Sequence, residues 1–391
     1  FKYAPPTGFL SLCTANLPSA ASILKPQKHF DILLWSGNST NNRTITGLEF
    51  QPDLVWIKAR TVSIMSHYFI SSIQTYTSSG SGNGNVGAFE SGTNDSAGEA
   101  TTPDGGFVSF NSDGFTLGKG SNDANADSAY QRMNASGRTY VAWCWKAGGA
   151  AVSNSDGAIT SSVSVNDEAG FSIVSYSGNG NSTATIGHGL SKAPKWIITK
   201  CRSTGTHADW VVWHEELSDN ENVYLNQVNS ESTPSYGHIT DPTSTLINVS
   251  KGSGNQTNAS GETYISYCWS EIPGYSKFGK YTGDGNADGA FVNLGFRPAF
   301  VLVKGKGFAG NWNLFDIKRP GLNPTNDRLF PNLSDAESDG SSSNNQIDIL
   351  SDGFKIRGSN VDTNSDGAEY IYMAFAEQPG TTSFDTISNA R

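Results

Sequence analysis

The chain has 391 residues, of which 16% are charged and 11% aromatic, with 43 glycines, 15 prolines and a formal net charge of −10. So many rings with so little charge exclude a disordered chain, and the preference for Gly, Ser, Thr and Asn over the residues of long helices excludes an all-α body. The acidic balance, with no Lys/Arg-rich run, excludes a nucleic-acid footprint, and no stretch reaches the ~18 to 20 apolar residues that would insert in a membrane.

Residues 1–29 stand apart from the rest. Their two adjacent prolines and closing apolar stretch (PPTGFLSLCTANLP) read as the lead-in tail of an upstream domain. Residues 30–149 then set out three signals in order. An aromatic precedes a Gly/Asn turn (Trp35, Ser36, Gly37, Asn38). A proline opens an apolar run that ends in lysine (Pro52 to Lys58, PDLVWIK). A turn feeds an aromatic strand (Asn134 to Trp145, NASGRTYVAWCW). Residues 147–158 read as a link, and Thr160 to Val165 as an extra strand opening the next unit. Residues 150–275 repeat the order with Tyr176 to Asn179, Pro194 to Lys200 and Asn258 to Trp269. After a short link (EIPGYSK, 271–277), residues 276–391 repeat it again with Tyr281 to Asp284, Pro298 to Lys304 and Asn364 to Phe375.

The spacing of the closing tyrosines, Tyr140, Tyr264 and Tyr370, suits whole units of ~100 residues rather than solenoid repeats. In the closing strand Val141, Trp143 and Trp145 alternate with Tyr140, Ala142 and Cys144, so both faces are apolar. Such a strand lies between two packed layers. Gly, Asn, Ser and Asp clusters between the strands, as at 79–86 and 341–345, read as surface loops. The fold expected is all-β: three tandem antiparallel β-sandwich domains of jelly-roll type, held rigidly by their short links.

Each candidate site has a structural counterpart. Cys144 and Cys268 fall at one repeat position where the third repeat has Ala374, which marks a small buried slot. No CxxC spacing suggests zinc, and the sequence gives no reason to expect a metal or any other cofactor. The acids of Asp284-x-Asn286-x-Asp288 and Asp362-x-Asn364-x-Asp366 have calcium-loop spacing, as more weakly do those of Asp123-x-Asn125-x-Asp127. The residues at loop position 12 of the first two, Gly295 and Met373, cannot supply the bidentate acid. Turn chemistry accounts for the same residues. His214, Glu215 and Glu216 could be drawn as an acid/base site, yet Asp316 replaces the histidine in the third repeat, and no hydrolase or phosphate-loop motif occurs. The expectation is a protein without catalytic residues. Lys58, Lys200 and Lys304 recur at one offset and read as polar strand ends with packed stems. Trp210, Trp213 and Trp312 are the candidates for carbohydrate stacking, against an alternative role in the core.

The proline-to-lysine runs, the closing strands and the stretches at 176–194, 274–298, 318–334 and 370–379 resemble an uncharacterised family of tailed-phage virion proteins, abundant in marine phages. The likeness spans residues 30–391, and residues 3–18 are similar to the end of the SPRY-like domain that often precedes these repeats. The resemblance implies an external virion structural protein, assembled in the host cytoplasm. It would be a tail fibre or appendage that contacts other virion proteins and a host cell-surface glycan. A capsid decoration or head-fibre protein and a polysaccharide-degrading appendage are its rivals. By analogy with phage fibres the protein would be a homotrimer, unless its three repeats mimic a trimer within one chain; the sequence does not choose.

Overall fold

The computed structural model describes residues 23–63, 65–74, 106–118, 133–203, 208–319, 323–339 and 345–377. The lead-in segment before residue 23, Cys13, His207, the serine/glycine loop at 79–86 and the Asp123–Asp127 loop lie outside the described residues.

The first repeat holds β1 (Phe30–Ser36), β2 (Arg43–Thr46), β3 (Leu54–Ala59), β4 (Tyr68–Ser71), β5 (Phe107–Asn111), β6 (Gly114–Leu117) and β7 (Thr139–Trp145). The second holds β8 (Val152–Asn154), β9 (Ser161–Asn166), β10 (Phe171–Ser177), β11 (Thr183–Gly187), β12 (Trp196–Cys201), β13 (Val211–His214), β14 (Val223–Tyr224), β15 (Ile239–Thr240), β16 (Leu246–Ser250) and β17 (Thr263–Trp269). The third holds β18 (Ser276–Thr282), β19 (Phe291–Asn293), β20 (Pro298–Gly305), β21 (Asn313–Asp316), β22 (Asp327–Arg328), β23 (Ser338–Asp339), β24 (Ile347–Leu350), β25 (Gly353–Ile356), the single turn α1 (Val361–Asn364) and β26 (Glu369–Ala376).

The protein is all-β, and its sheets are antiparallel. One strand order recurs three times. The larger sheets run β1-β7-β3-β4, β10-β17-β12-β13 and β18-β26-β20-β21, and each faces a three-stranded sheet: β2-β6-β5, β11-β16-β15 and β19-β25-β24. Among the described residues each pair of antiparallel sheets is of the sandwich kind. The second repeat extends its large sheet with β14 at one edge and with β9 and β8 at the other. The strand expected from Thr160 onward is β9, whereas part of the stretch expected as a link is itself a strand, β8.

Alternation along the central strands decides the architecture. In β7, Tyr140, Ala142 and Cys144 face the small sheet of their own repeat. Val141, Trp143 and Trp145 face the other way, into a cluster that also takes Ile265, Tyr267 and Trp269 of β17 and Ile371, Met373 and Phe375 of β26. The proline-led strands divide alike: Trp56, Ile198 and Leu302 enter the common cluster, while Val55, Ile197 and Val301 stay in the separate cores. A strand apolar on both faces needs two covers, and here the second cover comes from the neighbouring repeats. The sheet pairs are therefore not laid end to end, each closed on itself. They share a fourth core, in which Trp145 lies within ring-contact distance of Phe30 (4.9 Å), Trp269 (6.1 Å), Phe300 (5.8 Å) and Phe375 (5.6 Å).

Candidate functional site

The first and third of the repeated signals, the opening turn and the closing strand, meet in one clasp. The amide of Asn258 receives the Asn179 N–H on Oδ1 (3.0 Å) and donates from Nδ2 to Asn179 Oδ1 (3.0 Å) and the Asn181 carbonyl (2.9 Å). Asn134 makes the same set with Asn38 and Thr40, and Asn364 makes it with Asp284 and Asn286. Beside each clasp the closing tyrosine hydroxyl accepts a backbone N–H: Tyr140 from Ala135, Tyr264 from Ala259 and Tyr370 from Ser365. Its ring stacks on the aromatic that opens the repeat, at 5.3, 5.0 and 5.0 Å for Trp35–Tyr140, Tyr176–Tyr264 and Tyr281–Tyr370. The glycine of the turn is forced, because a Cβ on Gly178 would press into the Ala259 carbonyl and one on Gly283 into that of Ser365.

Three of the acids with calcium-like spacing have protein partners, one of them in the clasp. Asp284 Oδ1 accepts from Asn286 N and Asn364 Nδ2, and these hydrogen bonds hold its carboxyl below the usual range. Asp288 pairs with Lys355 (2.8 Å) and Arg357, and Asp362 Oδ1 accepts from Asn311 N (3.0 Å). Among the described residues no group of three or more His, Cys, Asp or Glu is placed to hold a metal ion.

The carbohydrate-stacking candidates are corrected. Trp210 and Trp312 are 0% exposed inside the shared core, and Trp213 is 6% exposed inside the second repeat's own core. No ring face is left for a sugar. Trp312 instead donates Nε1–H to the Tyr224 carbonyl of the second repeat (2.9 Å). The residue at the matching β4 boundary is His67, which stacks on Trp143 and accepts the Trp56 indole N–H (3.0 Å).

His214 is also buried. Burial pushes its imidazole down to about 3, and Nδ1 accepts the Glu216 N–H (3.0 Å). Glu215 is paired with Lys195, and Glu216 faces Lys280 (3.6 Å). The three residues are thus committed to separate structural contacts. Asp316, opposite Phe300 as His214 is opposite Trp196, is an ion partner of Arg319 (2.6 Å) and accepts the Trp143 indole N–H (3.0 Å). Cys144, Cys201 and Cys268 are free and buried, and burial raises the Cys144 thiol well above its ordinary value.

Two of the seams between repeats carry ion pairs. Glu337 N donates to the Arg60 carbonyl (2.7 Å), and its carboxylate takes both Arg60 and Arg319. At the next seam Glu231 N donates to the Lys306 carbonyl (2.8 Å), and its carboxylate faces Lys306 (3.7 Å). The two contacts are copies of each other, since Arg60 and Lys306 both stand two residues beyond a repeated lysine. First and second repeats meet through Phe69 against Trp210 (5.2 Å) and Tyr267 (5.4 Å), so every repeat touches both others.

Lys58, Lys200 and Lys304 correct a further expectation. They do stand one residue before the ends of β3, β12 and β20, but the whole side chain, amine included, is buried at the rim of the shared core. Repetition at one offset was the available signal. The partners, carbonyls from loops more than 70 residues distant in two of the three cases, had none.

Fold and repeated contacts define an all-β protein of three sheet pairs whose recurrent residues hold turns, seams and a common core. The chain belongs to a family described as a domain of unknown function, DUF7483, whose model matches residues 25–379. No curated protein and no solved structure matches it.

Proposed function

We propose that the protein is a virion structural protein, a tail-fibre or appendage module that presents its outer loops to a host surface, glycan included. The observation that carries this reading is where the repeated residues go. Clasp asparagines, stacked tyrosines and seam residues all serve rigidity, and none is turned outward as a reactive group. A stiff body bearing polar loops suits display and load-bearing. The resemblance of the repeats to tailed-phage virion proteins supplies the setting. Whether the repeats are also separate domains in the folding sense is a distinct matter, and the common core favours one body made of three parts.

Gold-labelled antibody on intact virions, viewed by electron microscopy, tests the location. Label at the tail supports the proposal, label on the head supports capsid decoration, and absence of label contradicts both. Pull-down of host cells by the purified chain tests attachment, and a reducing-end assay on host polysaccharide detects the enzymatic rival.

A further inference from the structure

Lys58 and Lys304 close the shared-core faces of β3 and β20, with 0% of either residue exposed. Lys58 Nζ donates to the Ala59 carbonyl (2.8 Å) and to the Ser334 carbonyl of the third repeat (3.1 Å). Lys304 Nζ donates to the Gly305 carbonyl (2.8 Å) and to the Val228 carbonyl of the second repeat (3.3 Å). Each amine therefore has one acceptor in its own repeat and one across a seam. An uncharged amine has two N–H groups, which these two carbonyls satisfy. An ammonium has a third N–H and a full charge, and burying that charge without a carboxylate partner is costly.

The surrounding charges leave the amines unpaired with any carboxylate among the described residues. Asp335 and Glu337 act on Lys58 only through space, Glu337 being held by Arg60 and Arg319. His67, on the same side, feels Lys58 and Arg319 as repelling charges. Asp362 acts on Lys304 from α1 while accepting from Asn311, and the nearby Lys306 is taken by Glu231 and Glu369.

We propose that Lys58 and Lys304 are proton-responsive fasteners at the two seams. Uncharged, each amine bridges carbonyls of adjacent repeats; on taking up a proton it places an unpaired charge at the rim of the core and loosens the seam. Burial pushes Lys58 down to about 7 and Lys304 down to about 8, so the change falls near neutrality. The sign follows from linkage. An unfolded lysine titrates near ~10.4, so between the folded and unfolded values the unfolded chain binds more protons and stability rises with pH. The full penalty is present below the folded values, where both states are protonated.

The full-length chain, labelled with 13C-lysine, tests this by NMR titration of the Cε signals. Two signals, assigned by their loss in K58M and K304M, or by proximity to Ser334 and Val228 protons if a variant does not fold, are expected to titrate at least two pH units below the exposed lysines. Titration of both with the exposed lysines overturns the proposal. Thermal melting of the same chain gives a second readout. The melting temperature should climb between about pH 7 and about pH 10, more steeply in the wild type than in the double variant. Equal slopes would contradict it.

Discussion

Asn134, Asn258 and Asn364 each use one buried amide as both acceptor and double donor, which no other side chain of that size can copy. Two of them make a further contact: Asn364 Nδ2 also reaches the Gly358 carbonyl (2.8 Å), and Asn134 Oδ1 also accepts from Arg43 (2.8 Å). Truncation in Asn364→Ala leaves buried carbonyls unmet and should cost about 2–3 kcal/mol in urea unfolding. Asn364→Asp should cost more, because it faces a new carboxylate with Asp284 and with carbonyl oxygens, and acid should relieve part of the loss. At the seam, burial alone would raise the Glu337 carboxyl, but the Arg60 hydrogen bonds and the Arg319 charge outweigh it and hold it below its ordinary value. A depressed carboxyl contributes stability above its unfolded value of ~4.3 that is lost as pH falls through the folded one. Acid denaturation of Glu337→Gln should accordingly be shallower than that of the wild type over this range. The recurring Asn and Gly were legible as turn residues, and the Tyr as the start of the closing strand, because their spacing repeats. Their union in one clasp was not, because the partners come from opposite ends of a repeat.

At the scale of single elements, the alternation in β3, β7, β12, β17, β20 and β26 could be read directly, and it placed these strands between two layers. What covers the outer layer could not be read, since hydrophobicity is non-directional and a buried face does not name its neighbour. The tryptophan candidates failed for this reason: Trp210 and Trp312 sit on the face that a solitary sandwich would expose and that this protein packs. The register makes a prediction about Trp145, Trp269 and Phe375, which occupy one position of the closing strand. The indole N–H of Trp145 finds no acceptor among the described residues. Trp145→Phe, the ring type the third repeat carries at Phe375, should therefore cost only what the lost volume costs, well below Trp145→Ala, which empties a site touching all three repeats and should cost about 3–5 kcal/mol. Chemical denaturation of the two variants separates a packing role from a hydrogen-bonding one.

Across the whole molecule, the copied contacts at Arg60–Glu337 and Lys306–Glu231 are head-to-tail, the kind that closes a ring when the rotation fits. Three linked sheet pairs therefore close one common core within a single chain. The central claim is that this core, rather than the links, holds the repeats together. The most direct measurement is to place a protease site between the exposed Ala150 and Ala151, cut the folded full-length protein and determine its mass by sedimentation. Both pieces should stay in one particle with the mass of the intact chain, because the apolar faces of β3 and β7 remain covered by the other two repeats. Separation into two soluble, folded fragments of independent mass would contradict it.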